Sequence, residues 1–262
     1  HPIPENDRWW GRGFTEWTNV SKTVPQFENH YQPHLPGELG FYDLRIPEVQ
    51  KRQVELAKNY GIYGFCFHYY WFKGKRLLEG PIESFIHNPE IDFPFCICWA
   101  NENWTRRWDG LENDILIAQE HSDETDLDFI HDVIPLFKHK NYITIDGHPI
   151  LIVYRVSLLP DAQKTATLWK KKCIEAGIKE PYLIAAQTFG FTDPKMVGFD
   201  AAVEFPPHNI SAENITDQVN LLNLNYSGNV YRYSGKASLS ELYLTMEHTG
   251  YKAFKTVTPG WD

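Results

Sequence analysis

Six short apolar runs divide this chain of 262 residues, and each ends on its C-terminal side in polar or aromatic residues. They are Ile62 to Tyr70, Phe93 to Ala100, Pro149 to Tyr154, Tyr182 to Ala186, Phe199 to Phe205 and Phe254 to Thr258. Each has the length of a strand, and helical patterns separate most of them. Strands that alternate with helices pair in parallel through right-handed crossovers. Chemistry-bearing residues gathered at one end of every strand are the arrangement of a (β/α)8 barrel, whose site is built from the loops that follow the strands. The expected fold is therefore α/β, a (β/α)8 TIM-type barrel, with an open doubly wound sheet as the alternative.

Six strands are two short of eight. The first residues read as a loop that follows a strand, and the last as a loop that precedes one. The expectation is a single domain over 1–262 that lacks its first and last strands. These are neighbours in a closed barrel, so their absence leaves one gap with two unpaired edges. The natural protein is expected to continue in both directions.

The helices follow from spacing and punctuation. Pro47 to Tyr60 starts with proline and stops before Gly61. Pro81 to His87 is a short helix. Asp126 to Phe137 carries Leu127, Ile130, Ile134 and Phe137 on one face, with Pro135 expected to kink or end it. Asp161 to Ala176 places Ala162, Ala166, Trp169, Cys173 and Ala176 on one face before Gly177. Tyr142 to Ile145 and Pro149 to Tyr154 flank Asp146-Gly147, the signature of a tight hairpin turn. Asp193-Pro194 opens a short helix. Residues 1 to 45 read as a long loop, 209 to 236 as a polar surface excursion, and Ser238 to Glu241 as a capping box for a helix through His248.

Composition narrows the function. A hydrophobic content of 42% supports a sizeable core, and a net charge of -9 with no basic run argues against a dedicated nucleic-acid binder. No apolar stretch approaches the ~20 residues that span a bilayer. Cys66, Cys96, Cys98 and Cys173 read as buried thiols with no metal-ligand spacing, and nothing calls for a cofactor. Several Asn-x-Ser/Thr triplets, Asn103-Trp104-Thr105 among them, matter only in a glycosylating host. Aromatic residues make up 15%, and many of them, tryptophans included, stand beside carboxylates, amides or histidines.

The densest such stretch is Trp99 to Gly110, directly after the apolar run Pro94 to Cys98. It holds Trp99, Asn101, Glu102, Asn103, Trp104, Arg106, Arg107 and Asp109. Each buried donor or carboxylate left without a partner costs about 1–3 kcal/mol, so this cluster belongs at a cleft. Indole faces stack on the C–H faces of sugars, while amides, carboxylates and guanidinium groups hydrogen-bond hydroxyls. The stretch therefore points to a glycan site. The plainer alternative is an aromatic loop whose arginines cover tryptophan faces and pair with Glu102 and Asp109.

These segments, together with His1 to Asn6, Gly13-Phe14-Thr15-Glu16-Trp17, His30 to His34, Val203 to His208 and Pro259-Gly260-Trp261-Asp262, resemble the WbsX-type proteins. That family is also described as glycoside hydrolase family 99-like and is found among bacterial polysaccharide genes. The resemblance covers nearly the whole chain. It implies a (β/α)8 barrel acting on a glycan, as a hydrolase or as a glycosyltransferase of O-antigen or capsule synthesis, in a bacterial cytoplasm or periplasm. In the related endo-mannosidases the catalytic carboxylates lie on the last strand, where WbsX-type chains carry Asn-Glu-Trp-x-Glu-Gly. No such pattern occurs here, which places the expected catalytic pair outside these residues.

Within the chain, Glu102 and Glu204 are the candidate catalytic carboxylates, each near the end of a strand. Glycoside hydrolysis uses two carboxyl groups, about 5–5.5 Å apart for retention or about 6.5–9.5 Å for inversion. Arg106 or Arg107 would keep Glu102 ionised, whereas burial among Trp99 and Trp104 would oppose that. Candidate substrate-binding residues are Trp10, Glu16, Trp17, His68, Tyr70, Trp71, Trp99, Asn101, Asn103, Trp104, Arg106, Arg107, Asp109, Tyr154, Arg155, Gln187, His208, Trp261 and Asp262. The acidic pair Asp126 and Asp128 would suit a metal-diphosphate site, but at a helix start acidic residues simply favour the helix dipole. Without a Gly-rich phosphate loop the transferase reading is weaker. A non-catalytic glycan-binding protein is the third reading, because it needs aromatic platforms and no carboxylate pair.

Overall fold

The computed structural model describes residues 1–106, 111–206, 208, 213–223, 225–232 and 250–257, the side chains of Arg106 and of 111–113 excepted. The chain divides into two compact units, residues 1–53 with 210–247 and residues 54–209 with 248–262.

The opening residues are more ordered than a loop. Pro4 presets the first turn of α1 (Pro4–Trp10), and Thr15 and Thr18 cap α2 (Glu16–Val20) reciprocally. Helix α3 (Pro47–Asn59) ends where the sequence punctuates it, because Gly61 turns left-handed at φ 72° and lets the Ile62 N–H donate to the Ala57 carbonyl at 2.8 Å.

The sheet of the second unit begins with β1 (Phe65–Phe72), which turns back through Lys73-Gly74 into the short antiparallel β2 (Lys75–Leu77). Both turn residues have positive φ, 44° and 83°, as a two-residue hairpin requires. Helix α4 (Gly80–His87) leads to β3 (Phe95–Trp99). Gly64 lets β1 and β3 meet, since a Cβ there would fall 2.6 Å from the Pro94 carbonyl oxygen. The stretch after β3, expected as loop, forms a second hairpin of β4 (Trp104–Arg106) and β5 (Leu111–Ile117).

Helix α5 (Asp123–Phe137) starts earlier than expected because Ser122 caps it, and it ends just past Pro135. The Asp146-Gly147 turn joins β6 (Thr144–Ile145) to β7 (His148–Val153), with φ of 52° and 81° at the two turn residues. Asp161 caps α6 (Ala162–Glu175), which buries Ala162, Ala166, Trp169 and Cys173 as its spacing requires. Two further strands, β8 (Tyr182–Gln187) and β9 (Ala201–Glu204), follow.

The polar excursion after β9 belongs to the first unit. There β10 (Glu213–Asn214) pairs with β11 (Tyr231–Arg232), and Phe27 bridges Leu221. The helix expected between Ser238 and His248 lies outside the described residues. The chain re-enters the sheet as β12 (Lys252–Phe254), earlier than the apolar run suggested.

The parallel strands stand in chain order, β1-β3-β7-β8-β9-β12, with no reversal. The fold is thus mixed α/β around a mostly parallel sheet. On its helix side Phe65, Phe95, Ile97, Trp99, Leu151, Val153, Leu183 and Ala185 pack with residues of α5 and α6 in one apolar core. On the other side Cys66 and His68 of β1 reach solvent, so Cys66 is not the buried thiol expected. Cys96, Cys98 and Cys173 are buried, and burial pushes the Cys173 thiol up to about 12.

Candidate functional site

The ends of β3 and β7 are stitched together by one amide. Asn101, fully buried, donates from its side chain to the Arg155 carbonyl at 2.9 Å and accepts from the Arg155 N–H at 2.7 Å. The His121 ring lies 3.3 Å from the Asn101 carbonyl oxygen through Nε2, and desolvation lowers its pKa. Asn101 therefore positions backbone; its expected contact with substrate gives way to that clamp.

The clamp sets Arg155 beside Glu102. Its Nη1 donates to Glu102 Oε2 at 3.2 Å, with both side chains about three-quarters buried. Charged groups in such surroundings form stronger hydrogen bonds than neutral ones. This cation thus comes to Glu102 from 53 residues away. The Arg155 guanidinium also lies 3.9 Å from the centre of the Phe189 ring. Thr188 fixes that ring's loop by donating from Oγ1 to the Tyr154 carbonyl at 2.8 Å.

Around these groups the strand ends supply aromatic faces. The Tyr154 hydroxyl and His208 Nε2 are 3.0 Å apart, and Phe205 sits 5.0 Å from Tyr154 and 6.2 Å from His68, ring to ring. His68 reaches solvent, yet protein atoms crowded around it lower its pKa by desolvation, and the charge of Glu102 opposes the shift. Tyr70 stacks on Trp104 at 5.3 Å, with Phe72 on the same indole at 6.2 Å. Asn103 accepts from the Gln119 N–H at 2.7 Å at the base of the β4–β5 hairpin, and Gln187 donates to the Thr192 carbonyl and the Tyr251 hydroxyl, each at 3.1 Å.

Glu204 is held differently. Lys255 donates to its Oε1 at 2.9 Å and the Thr256 N–H to its Oε2 at 3.0 Å, across from β9 to the end of β12. Each candidate carboxylate is thus engaged with a cation. The arrangement can hold hydroxyl groups and stack on flat C–H faces. Among the described residues no group of three or more His, Cys, Asp or Glu side chains could hold a metal ion.

Two tryptophans leave the site. Trp71 and Trp99 are 1% and 0% exposed, and Trp99 stacks on Phe129 at 4.0 Å, so core packing closes both rings to any ligand. Trp10, Glu16 and Trp17 belong to the first unit, where Trp10 stacks on Phe14 at 5.2 Å, Glu16 is exposed and Trp17 donates to the Tyr42 carbonyl at 3.0 Å. Arg107, Asp109, Trp261 and Asp262, with the Arg106 side chain, lie outside the described residues. Phe189 and Lys255 enter the site without having stood out in the sequence, as does Phe205 beyond its place in the segment Val203 to His208. Their one signal was position, just past a strand's end.

The family model described as Glycosyltransferase WbsX matches residues 1–262. The chain belongs to the WbsX family. Its relatives include the "Uncharacterized protein WxcX" of two strains of Xanthomonas campestris pv. campestris, each 48% identical over 262 residues. The match covers all of this chain and 37% of each relative, so the WbsX chain spans little more than a third of their length. Among solved structures, a "Glycoside hydrolase-like protein" matches with a TM-score of 0.50 and 15% identity, over 93% of this chain and 76% of that one. The GH99 endo-alpha-mannosidase from Bacteroides thetaiotaomicron matches with a TM-score of 0.45 and 12% identity, over 65% of this chain and 47% of that one. Membership places the chain among carbohydrate-active proteins of the WbsX kind. No helix among the described residues is long and apolar enough to cross a membrane.

Proposed function

We propose that this WbsX chain forms the glycan-holding part of a glycosidase-like (β/α)8 barrel, read as one domain over 1–262, and that the whole protein hydrolyses a bacterial polysaccharide or oligosaccharide. The observation that carries the reading is the unbroken strand order β1-β3-β7-β8-β9-β12, with Tyr70, Glu102, Tyr154, Arg155, Gln187 and His208 all at or just past strand C-terminal ends. A doubly wound sheet reverses its order at a switch point and binds there; a barrel keeps chain order and binds over the strand ends.

In this reading Arg155 and the Tyr154–His208 pair hold sugar hydroxyls, Trp104 on Tyr70 lends a stacking face, and Glu102 is steadied by Arg155 as a substrate contact. Hydrolysis needs a carboxylic acid to protonate the leaving oxygen and a second carboxylate to act as nucleophile or base. With Glu102 and Glu204 both tied to cations, that pair is assigned to the part of the protein beyond these residues.

The family's description favours a second reading, a glycosyltransferase, and the cation-paired carboxylates favour a third, glycan binding without turnover. The test is to incubate the full-length protein with bacterial surface polysaccharides, with and without nucleotide sugars. New reducing ends without a nucleotide sugar are the expected result. Consumption of a nucleotide sugar would replace hydrolysis by transfer, and binding with neither product would leave a lectin.

A further inference from the structure

We propose that Phe189 is the stacking platform of a pyranose subsite at the ends of β7, β8 and β9, with Arg155 and the Tyr154–His208 pair as its hydrogen-bonding rim. The proposal rests on the glycan reading above and adds to it a residue and a ligand chemistry.

Phe189 is in the wrong place for a core phenylalanine. Its φ is 49°, in the left-handed region that glycine enters freely and a bulky aromatic residue avoids. Gly190 follows at φ 81°, and the Phe191 N–H closes the turn on the Thr188 carbonyl at 2.9 Å. A two-residue turn of this kind is ordinarily filled by Asn and Gly. The strain is not offset by burial, because Phe189 is 50% exposed while Phe95 and Phe129 of the core are 0% exposed. An apolar ring held open on a strained turn is the pattern of a binding residue.

Its surroundings are equally specific. Arg155 covers the ring at 3.9 Å, the His208 ring stands 4.5 Å away and Tyr154 6.4 Å away, edge on. Arg155 Nη1 binds Glu102, which fixes the guanidinium beside the ring. Donors of this kind around an aromatic face match a pyranose, which offers a flat C–H surface to the ring and hydroxyl oxygens to guanidinium, imidazole and phenol. Cation and ring orient one another, so the platform is preorganised before any ligand arrives.

The test is binding of the full-length protein to an array of bacterial surface polysaccharides, with each positive titrated in solution. Phe189→Ala is expected to weaken binding about five- to tenfold, the usual worth of one aromatic stack, and Phe189→Trp to retain it. Phe189→Gly keeps the test open should the alanine variant fold poorly, since glycine suits the left-handed turn: it is expected to lose binding equally, with a melting temperature no lower than that of Phe189→Ala. Wild-type affinity in the Ala and Gly variants would remove the subsite and leave the glycan reading standing. A wild-type protein that binds no polysaccharide on the array would remove both.

Discussion

Trp99 and Trp104 flank the same short polar stretch and serve opposite ends. Trp99 points to the helix side of the sheet, 0% exposed, stacked on Phe129 and 5.9 Å from the Trp169 ring. Trp104 lies past the strand, part-exposed and stacked on Tyr70 and Phe72 of the neighbouring strand. Up to the strand's end, aromatic residues are explained by the core they fill. Beyond it they come with hydrogen-bonded polar pairs, Glu102 with Arg155 and Tyr154 with His208, and keep surface open to solvent. The lesson is that aromatic density alone does not mark a site; which face and which end of the strand decides.

The comparison breaks most readily at Trp99. Removing its side chain empties the centre of the core, so Trp99→Ala should cost about 3–5 kcal/mol in urea unfolding. A loss under about 1 kcal/mol would mean that the aromatic core is not what holds the sheet to α5 and α6. Asn101 comes next, at the boundary between the two regions. Asn101→Ala removes the acceptor of the Arg155 N–H and one of the two donors to the Arg155 carbonyl, which keeps the Leu158 N–H, and should cost about 1–3 kcal/mol. Because it also frees Arg155 from its place beside Glu102, glycan binding should weaken together with stability, which a purely internal change such as Ile97→Val would not produce.

Much of this division was legible in the sequence, and the exceptions have physical causes. The strand positions follow from apolar runs, the α6 face from Ala162, Ala166, Trp169 and Cys173, and the β6–β7 turn from Asp146-Gly147. The side to which Trp71 and Trp99 point was hidden because β1, Phe65–Phe72, and β3, Phe95–Trp99, are apolar or aromatic almost throughout, so the residue types carry no alternation to read, even though β1 has one face partly open to solvent. A cation on Glu102 was sought in its neighbours Arg106 and Arg107, whose side chains lie outside the described residues; Arg155, brought in by tertiary structure from the end of β7, has no sequence proximity to reveal it. Residues 1 to 45 looked structureless because α1 and α2 are too short for periodicity, although Pro4 and the Thr15–Thr18 capping box were there to be seen. Phe189 has no sequence signature, since its left-handed φ is a property of the fold.

Asp126 extends the comparison to pH. It is 4% exposed in the core-facing part of α5, where Thr165 donates to its Oδ2 at 2.5 Å and Oδ1 is buried with no hydrogen-bond partner among the described residues. Desolvation raises its pKa, with the Thr165 hydrogen bond opposing. A carboxyl group whose folded pKa lies above its unfolded value contributes stability that is complete below the unfolded pKa and is lost as pH rises through the folded one. Asp126→Asn carries no such charge, so its stability relative to wild type should climb as pH rises from about 4 and then level off. Urea unfolding across that range checks it. A relative stability that falls with rising pH would show that the ionised Asp126 is favoured, and that this part of the core is more polar than its burial implies.

The smallest expected change in stability is also the sharpest functional contrast. Trp104 is part-exposed, and Tyr70 and Phe72, on which it stacks, are themselves anchored in β1. Trp104→Ala should therefore shift unfolding by no more than about 1 kcal/mol, close to the value of one exposed aromatic pair. If the open end of the sheet is where a glycan rests, the same variant should lose several-fold in affinity for any polysaccharide the wild type binds. Trp99→Ala and Trp104→Ala would then have inverse profiles, one spent almost wholly on folding and the other almost wholly on binding. Equal losses of stability in the two would collapse the distinction, because Trp104 would then be core as well, and the β4–β5 hairpin would be a structural buttress to the sheet with no call on a ligand.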